Sequence, residues 1–234
     1  VLPYAEESGE GRRRIGEFCR GLKTPCRQRP RMAAYGRPFL RDLFDGAPTP
    51  HIAHPPRTHH RDFYVATDGS FLADGGGLGA IVETRSGEQL RRIARRDDAP
   101  DNNVAEYRAL LVGLEALAEH ASVGTSVGLL VDHDSLAANV NAATLGMAHP
   151  DWPASPAAVP AAGTADWRDI RDHLNRFEDV LAACVPSDDN PAHVLANAPG
   201  EYGHLDEPTH PSSPARRDWE VPPPSRADRH ASDD

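Results

Sequence analysis

Three short strand patterns follow one another between residues 62 and 96, and they constrain the fold more than any other part of the sequence. They read DFYVATDGSF, LGAIVET and EQLRRIAR, with the turn-forming RSGE between the second and the third. Short runs rich in β-branched and aromatic residues, separated by turn residues, are typical of β-strands. Because the three strands are consecutive and their connections are short, we expect an antiparallel meander.

Helices and strands alternate after this meander. Apolar residues recur at helical spacing from about Val104 to His120, and VGLLVD predicts a fourth strand that is followed by the helical pattern SLAANVNAA. The amphipathic stretch TADWRDIRDHLNRF predicts a helix with Thr164 as its N-cap, DVLAACV a fifth strand, and NPAHVLANA a final helix. This order of elements predicts an α/β domain of about 140 residues.

Charge and composition divide the chain into three parts. Residues 11–41 carry ten basic residues against a single acid, whereas the whole chain has a formal net charge of -10. A stretch rich in proline and histidine follows, and the residues after Gly200 include too few apolar side chains to pack. We therefore expect a basic arm and linker over residues 1–60, a folded domain over 61–200 and a disordered tail over 201–234.

The composition also indicates where in the cell the protein is expected. No apolar run approaches the roughly 18 residues of a membrane span, and the N-terminal residues lack the pattern of a secretory signal. The three cysteines are an odd number at spacings that are typical of free thiols. We therefore expect a cytoplasmic monomer without a membrane partner. The single lysine and the acidic net charge indicate a high-GC genome or a high-salt cytoplasm.

Acidic residues fall at the ends of several predicted elements. Asp68 ends the first strand, and Glu106 lies at the start of the apolar stripe of the long helix. Asp132 and Asp134 end the fourth strand. Singly, such residues are typical of turns and helix caps, but carboxylates that converge at a sheet edge need a cation or protons to offset their repulsion. Oxygen ligands of this kind favour Mg²⁺ or Mn²⁺, and a pair of such ions is suited to phosphodiester hydrolysis.

Four segments give a resemblance to a known family: YVATDGSF, NNVAEYRALLVGLEAL, LLVDHDSLAANV and DDNPAHVLANA, in this order. Over residues 62–200 the sequence resembles the ribonuclease H type I family. The resemblance implies a ribonuclease H-like α/β fold, in which helices flank a five-stranded mixed sheet of three antiparallel strands followed by two parallel ones. The family's metal-binding Asp, Glu and Asp correspond to Asp68, Glu106 and Asp134, and His193 stands where many members have a fourth carboxylate.

The resemblance also implies an activity. It implies an endonuclease that cuts the RNA strand of RNA–DNA hybrids with two divalent ions, Mg²⁺ or Mn²⁺, and leaves 5′-phosphate and 3′-hydroxyl ends. Since imidazole suits Mn²⁺ better than Mg²⁺, we expect His193 to favour Mn²⁺. The minor groove of the hybrid displays the 2′-hydroxyls that mark the RNA strand. The residues implied along that groove are Gly69, Ser70, Asn102 and Asn103.

Several alternatives stay open at this point. Because His193 replaces a carboxylate and the body of the chain is acidic, the protein could be a hybrid-binding module with weak or no catalysis. The wider fold also serves other phosphoryl-transfer reactions, such as cleavage of junctions. The basic residues 11–41 could clamp nucleic acid or form a solvated tail. Asp132 either adds negative charge beside the metal site or is one more surface acid, and we favour the surface acid.

Overall fold

The computed structural model describes residues 37–51, 60–72, 75–149, 151 and 158–203. In chain order the elements are helix α1 (Leu40–Gly46), strands β1 (Phe63–Ser70), β2 (Gly76–Thr84) and β3 (Gln89–Asp97), helix α2 (Asn102–Ala118), strand β4 (Ser126–Val131), helices α3 (Asp134–Ala148) and α4 (Thr164–Leu174), strand β5 (Asp179–Cys184), and helices α5 (His193–Asn197) and α6 (Pro199–Tyr202). Most of the predicted basic arm and nearly all of the predicted tail lie outside the described residues. No helix in the described part of the chain is both long and apolar enough to cross a membrane.

The five strands form one sheet in the order β3-β2-β1-β4-β5. Strand β2 pairs antiparallel with β1 and with β3, whereas β4 pairs parallel with β1 and with β5. This confirms the predicted mixed sheet of three antiparallel and two parallel strands. Because β1, β4 and β5 are parallel, their carboxyl ends lie at the same edge of the sheet.

Helices cover both faces of the sheet and enclose two apolar cores. Helices α2, α3 and α4 bury one core against the sheet, and α1 and α5 bury the other. Helix α4 begins at Thr164 as expected, but its N-cap is Gly163, and the Thr164 hydroxyl donates to the Ala161 carbonyl at 2.9 Å. The predicted capping role of Thr164 is therefore wrong, because the 3₁₀ turn Ala161–Gly163 runs directly into the helix.

The segment 37–51 packs against the sheet, although it lies before the predicted domain boundary at residue 60. Leu40 and Phe44 are buried in the core beneath α1, and the Phe44 ring packs edge-to-face on Tyr64 with centroids 5.6 Å apart. The carbonyl of Pro48 accepts a hydrogen bond from the Cys184 amide at 2.9 Å. Sequence periodicity missed this element because a seven-residue helix shows too few turns to establish a pattern.

A buried acid fixes α1 to the sheet. Glu83 on β2 is only 1% exposed, and its carboxylate forms an ion pair with Arg37 and accepts the Leu40 amide at 3.0 Å. A buried carboxylate is tolerated only when it is paired and hydrogen-bonded. The pairing therefore holds the start of α1 in place.

We expect Phe44→Ala to lower the free energy of unfolding by about 3 kcal/mol, because it removes a buried aromatic ring and leaves a cavity. The measurement is urea unfolding followed by circular dichroism. Phe71→Ala is the matched control, since the Phe71 side chain is 49% exposed and its loss changes little buried area. Equal effects of the two substitutions would show that residues 37–51 are not part of the cooperative unit.

Candidate active site

Two acids converge where β1 meets the start of α2. Asp68 near the end of β1 and Glu106 in the first turns of α2 are only 2% and 3% exposed. The backbones of the two elements are so close here that a Cβ atom on Gly69 would lie 2.3 Å from the carbonyl carbon of Ala105. The Gly69 amide donates to Oε2 of Glu106 at 3.2 Å. Glycine at position 69 therefore allows the contact that places Glu106 beside Asp68.

A third acid, Asp132, joins this pair from the end of β4. The strand ends at Val131, so Asp132 is the first residue beyond the sheet edge. One ligand atom from each of Asp68, Asp132 and His193 lies within 4.8 Å of the other two. Asp132 is also half-buried. Its interpretation as a surface acid is therefore wrong.

Asp134 is placed differently from the other acids. It is the first residue of α3 and is exposed to solvent. The thiol of Cys184 donates to its Oδ1 atom at 2.8 Å. The structure does not bring Asp134 into the group formed by Asp68, Asp132 and His193. This placement does not support its predicted role as a metal ligand, which stays a prediction.

The acids strongly perturb one another's ionisation. Burial, together with the charge of Asp132, raises the pKa of Asp68 to about 8. Burial raises the pKa of Glu106 to about 9, with added contributions from the charges of Asp132 and Asp68, and the Gly69 amide acts in the opposite direction. Without a counterion, the group therefore retains protons at neutral pH.

The structure offers a direct test of whether this group suits a cation. The Oδ1 atom of Asp132 is buried and accepts no hydrogen bond from an amide, hydroxyl or guanidinium of the described residues. The Asp132 carboxyl group interacts with those of Asp68 and Glu106, with which it can share a proton but which offer no positive charge. Clustered hard oxygens with an unsatisfied ligand atom fit a divalent cation such as Mg²⁺ or Mn²⁺.

His193 reaches the site from the first turn of α5. Its Nδ1 atom lies 3.4 Å from Oδ1 of Asp68, and the side-chain amide of Asn197 lies 3.2 Å from both ring nitrogens. The buried Asn190 fixes the preceding turn, because its Nδ2 donates to the Thr67 carbonyl at 2.9 Å, one residue before Asp68. Sequence reasoning missed Asn190, although an Asn-Pro pair before a helix is a turn signal.

The residues expected along a hybrid groove divide into two kinds. Ser70 is buried, and its hydroxyl donates to the Ala196 carbonyl at 2.7 Å and accepts the Gly77 amide at 3.0 Å. The Ser70 side chain therefore links β1, β2 and α5 and is not presented to a substrate. Gly69 is also buried, whereas Asn102 and Asn103 at the start of α2 are exposed.

A histidine orients one of these asparagines. The Leu136 amide donates to Nδ1 of His133 at 3.1 Å, so Nδ1 carries no proton and the Nε2 proton is donated to Oδ1 of Asn103 at 2.9 Å. Burial lowers the pKa of His133, although Asp132 and Asp134 act against this shift. A neutral His133 therefore caps α3 and holds Oδ1 of the exposed Asn103.

Comparisons with known proteins give likenesses only at the level of structure. The sequence matches no family model and no curated protein. Among solved structures, the N-terminal ribonuclease H domain of a Mycobacterium tuberculosis protein is 20% identical, with a TM-score of 0.44 over 57% of this chain and 95% of that one. Ribonuclease H1 of the halophilic archaeon Halobacterium salinarum is 20% identical, with a TM-score of 0.43 over 59% and 97%. LC11-RNase H1, crystallised with an RNA/DNA hybrid, is 20% identical, with a TM-score of 0.45 over 57% and 93%.

The sheet itself decides the fold. Its strand order, with three antiparallel strands followed by two parallel ones and with α2 crossing from β3 to β4, is the one that the motif resemblance implies. The fold is ribonuclease H-like. A shared fold does not establish an activity, so the function has to be argued from the residues at the sheet edge.

We expect the cation-free protein to lose stability as the pH rises. Asp68 and Glu106 release their protons near pH 4 when unfolded but only at about pH 8 and 9 when folded, so the folded state binds more protons between these values. The stability that these bound protons confer is complete near pH 4 and is lost by about pH 9. Urea midpoints measured in EDTA between pH 5 and pH 9 test this.

Asp132→Asn should reduce this loss by on the order of 1 kcal/mol, because the charge of Asp132 is a smaller cause of both shifts than burial. Asp134→Asn is the matched control and should follow the wild-type pH dependence. An Asp132→Asn curve parallel to that of the wild type would show that Asp132 does not interact with the other two acids.

Proposed function

We propose that this protein is a divalent-metal-dependent endonuclease that cuts the RNA strand of RNA–DNA hybrids. One observation carries the proposal, namely that three acids from β1, α2 and the end of β4 converge with His193 at one edge of the sheet. A protein that only binds a polyanion has no physical need for clustered carboxylates, since they repel phosphate. The motif order of the ribonuclease H type I family supports the choice of hybrid as substrate.

The proposed ligands of the cations are Asp68, Glu106, Asp132 and His193. Asp132 takes the role that the sequence resemblance gives to Asp134, because only Asp132 lies with Asp68 and His193. A bound pair of divalent ions would supply an activated water and stabilise the leaving 3′ oxygen, which leaves 5′-phosphate and 3′-hydroxyl ends.

The chain's own residues prepare this site. The carboxyl groups of Asp68 and Glu106 hold protons until cations replace them, so cation binding releases protons. Gly69 holds the Glu106 carboxylate through its amide, and its lack of a side chain keeps the two backbones together. Asn103, oriented by His133, presents an amide donor to the minor-groove side of a hybrid, where it can meet a 2′-hydroxyl.

We expect purified protein to cut a labelled RNA–DNA hybrid internally, in its RNA strand, when Mn²⁺ or Mg²⁺ is present. Asp68→Asn, Glu106→Gln and Asp132→Asn should each lower the rate by about 100-fold or more, because each removes a charged ligand of the cations that would stabilise the transition state. Asp134→Asn is the matched control for Asp132→Asn and should retain most of the activity. Single-turnover cleavage, resolved on denaturing gels, measures these rates.

Three other outcomes would contradict parts of this proposal. Hybrid that is bound but never cut would support a binding module instead. Cleavage of a DNA junction in preference to a hybrid would change the substrate class. Loss of activity in Asp134→Asn with activity retained in Asp132→Asn would return the third ligand to Asp134.

His193 is expected to set the choice of metal. We predict that the wild type is faster with Mn²⁺ than with Mg²⁺, and that His193→Asp raises the Mg²⁺-dependent rate by about tenfold, because a carboxylate suits Mg²⁺ better than imidazole does. His193→Asn, which is similar in size to Asp but uncharged, is the control. Equal Mg²⁺ dependence in the wild type and His193→Asp would exclude His193 from the metal site.

A further inference from the structure

A short 3₁₀ turn, Ser187–Asp189, follows β5 and lies beside the candidate site. Its entry is fixed to β4, because the Val185 amide donates to the carbonyl of Val131 at 2.8 Å. Its exit is fixed to β1 through the buried side chain of Asn190, which donates to the Thr67 carbonyl. The turn is therefore held at both ends by strands that carry site residues.

One side chain of this turn contacts the acid at the end of β4. The exposed Ser187 donates its hydroxyl proton to Oδ2 of Asp132 at 2.6 Å. This is the length expected of a charge-assisted hydrogen bond from a hydroxyl to a carboxylate. The other oxygen of Asp132, Oδ1, is buried and is one of several side-chain atoms of the described residues that lack a hydrogen-bond partner. Oδ2 of Asp132 thus accepts a hydrogen bond from Ser187, and Oδ1 remains available as a metal ligand.

We propose that Ser187 is a positioning residue that holds the carboxylate of Asp132 so that Oδ1 faces the cation site. The inference rests on the proposed metal-dependent function. Asp132 lies on a chain segment that has already left the sheet, so the strand does not fix its side chain. The hydrogen bond from Ser187 to Oδ2 restricts rotation of this carboxylate.

The two acids around His133 have separate donors. Ser187 holds Asp132, and the thiol of Cys184 donates to Asp134. Both donors come from β5 or the turn after it, but a hydroxyl is a stronger donor than a thiol. Asp132, which lies with Asp68 and His193, therefore has the stronger hydrogen-bond donor, and Asp134, which lies outside that group, has the weaker one.

The test is Mn²⁺ binding to the full chain, measured by titration calorimetry in the absence of nucleic acid. We expect Ser187→Ala to weaken Mn²⁺ affinity by about tenfold, the usual effect of removing a group that orients a metal ligand. Ser187→Thr keeps the hydroxyl and should bind within about twofold of the wild type. Ser86→Ala, an exposed serine in the turn between β2 and β3, is the matched control and should leave the affinity unchanged. Asp132→Asn should bind most weakly.

A second readout separates positioning from a general loss of structure. In a Mn²⁺ titration of hybrid cleavage, Ser187→Ala should need about tenfold more Mn²⁺ for half-maximal rate but reach a plateau near that of the wild type, with an unchanged urea midpoint in EDTA. Wild-type affinity in Ser187→Ala, beside a weakened Asp132→Asn, would overturn the role of Ser187 alone. Absence of Mn²⁺ binding by the wild type would overturn the proposed metal centre and the role of Ser187 with it.

Discussion

The main constraint on this structure is the electrostatic cost of holding three carboxyl groups together at one edge of the sheet, two of them buried. Asp68 and Glu106 are almost fully buried, and Asp132 adds its charge to both. Like charges in a site of low polarity cannot all ionise unless protons or cations compensate them. The fold therefore has to supply a rigid frame that keeps these groups in place against their own repulsion.

The frame is made mainly of backbone contacts. Gly69 lets β1 approach the start of α2, and in the same way a Cβ atom on Gly79 would lie 2.4 Å from the Ala192 carbonyl oxygen just before α5. Asn190 adds a hydrogen bond from this turn to the backbone of β1. Such contacts tolerate little movement because protein interiors are closely packed. Close backbone packing of β1, α2 and the turn before α5 therefore fixes the positions of Asp68, Glu106 and His193.

Charge repulsion also affects how an acidic protein could act on a polyanion. An empty group of carboxylates repels phosphate, whereas a group that holds divalent cations attracts it. Cation binding would therefore come before productive contact with nucleic acid. The exposed Asn102 and Asn103 beside the site are uncharged donors, which can contact a hybrid without adding to the repulsion.

By local signals alone, namely hydrophobic periodicity and turn residues, the sequence determined the order of elements from β1 onward and the presence of Asp68 and Glu106 at element ends. The mixed sheet was implied by the motif resemblance. The motif resemblance chose Asp134 as the third acid of the site, whereas the structure brings Asp132, two residues earlier, to Asp68 and His193. Which of the two acids lies beside Asp68 depends on where β4 ends, and the end of a strand is set by pairing with distant strands. The packing of α1 was likewise decided only in three dimensions, because a buried ion pair between residues 46 positions apart leaves no periodic pattern in the chain.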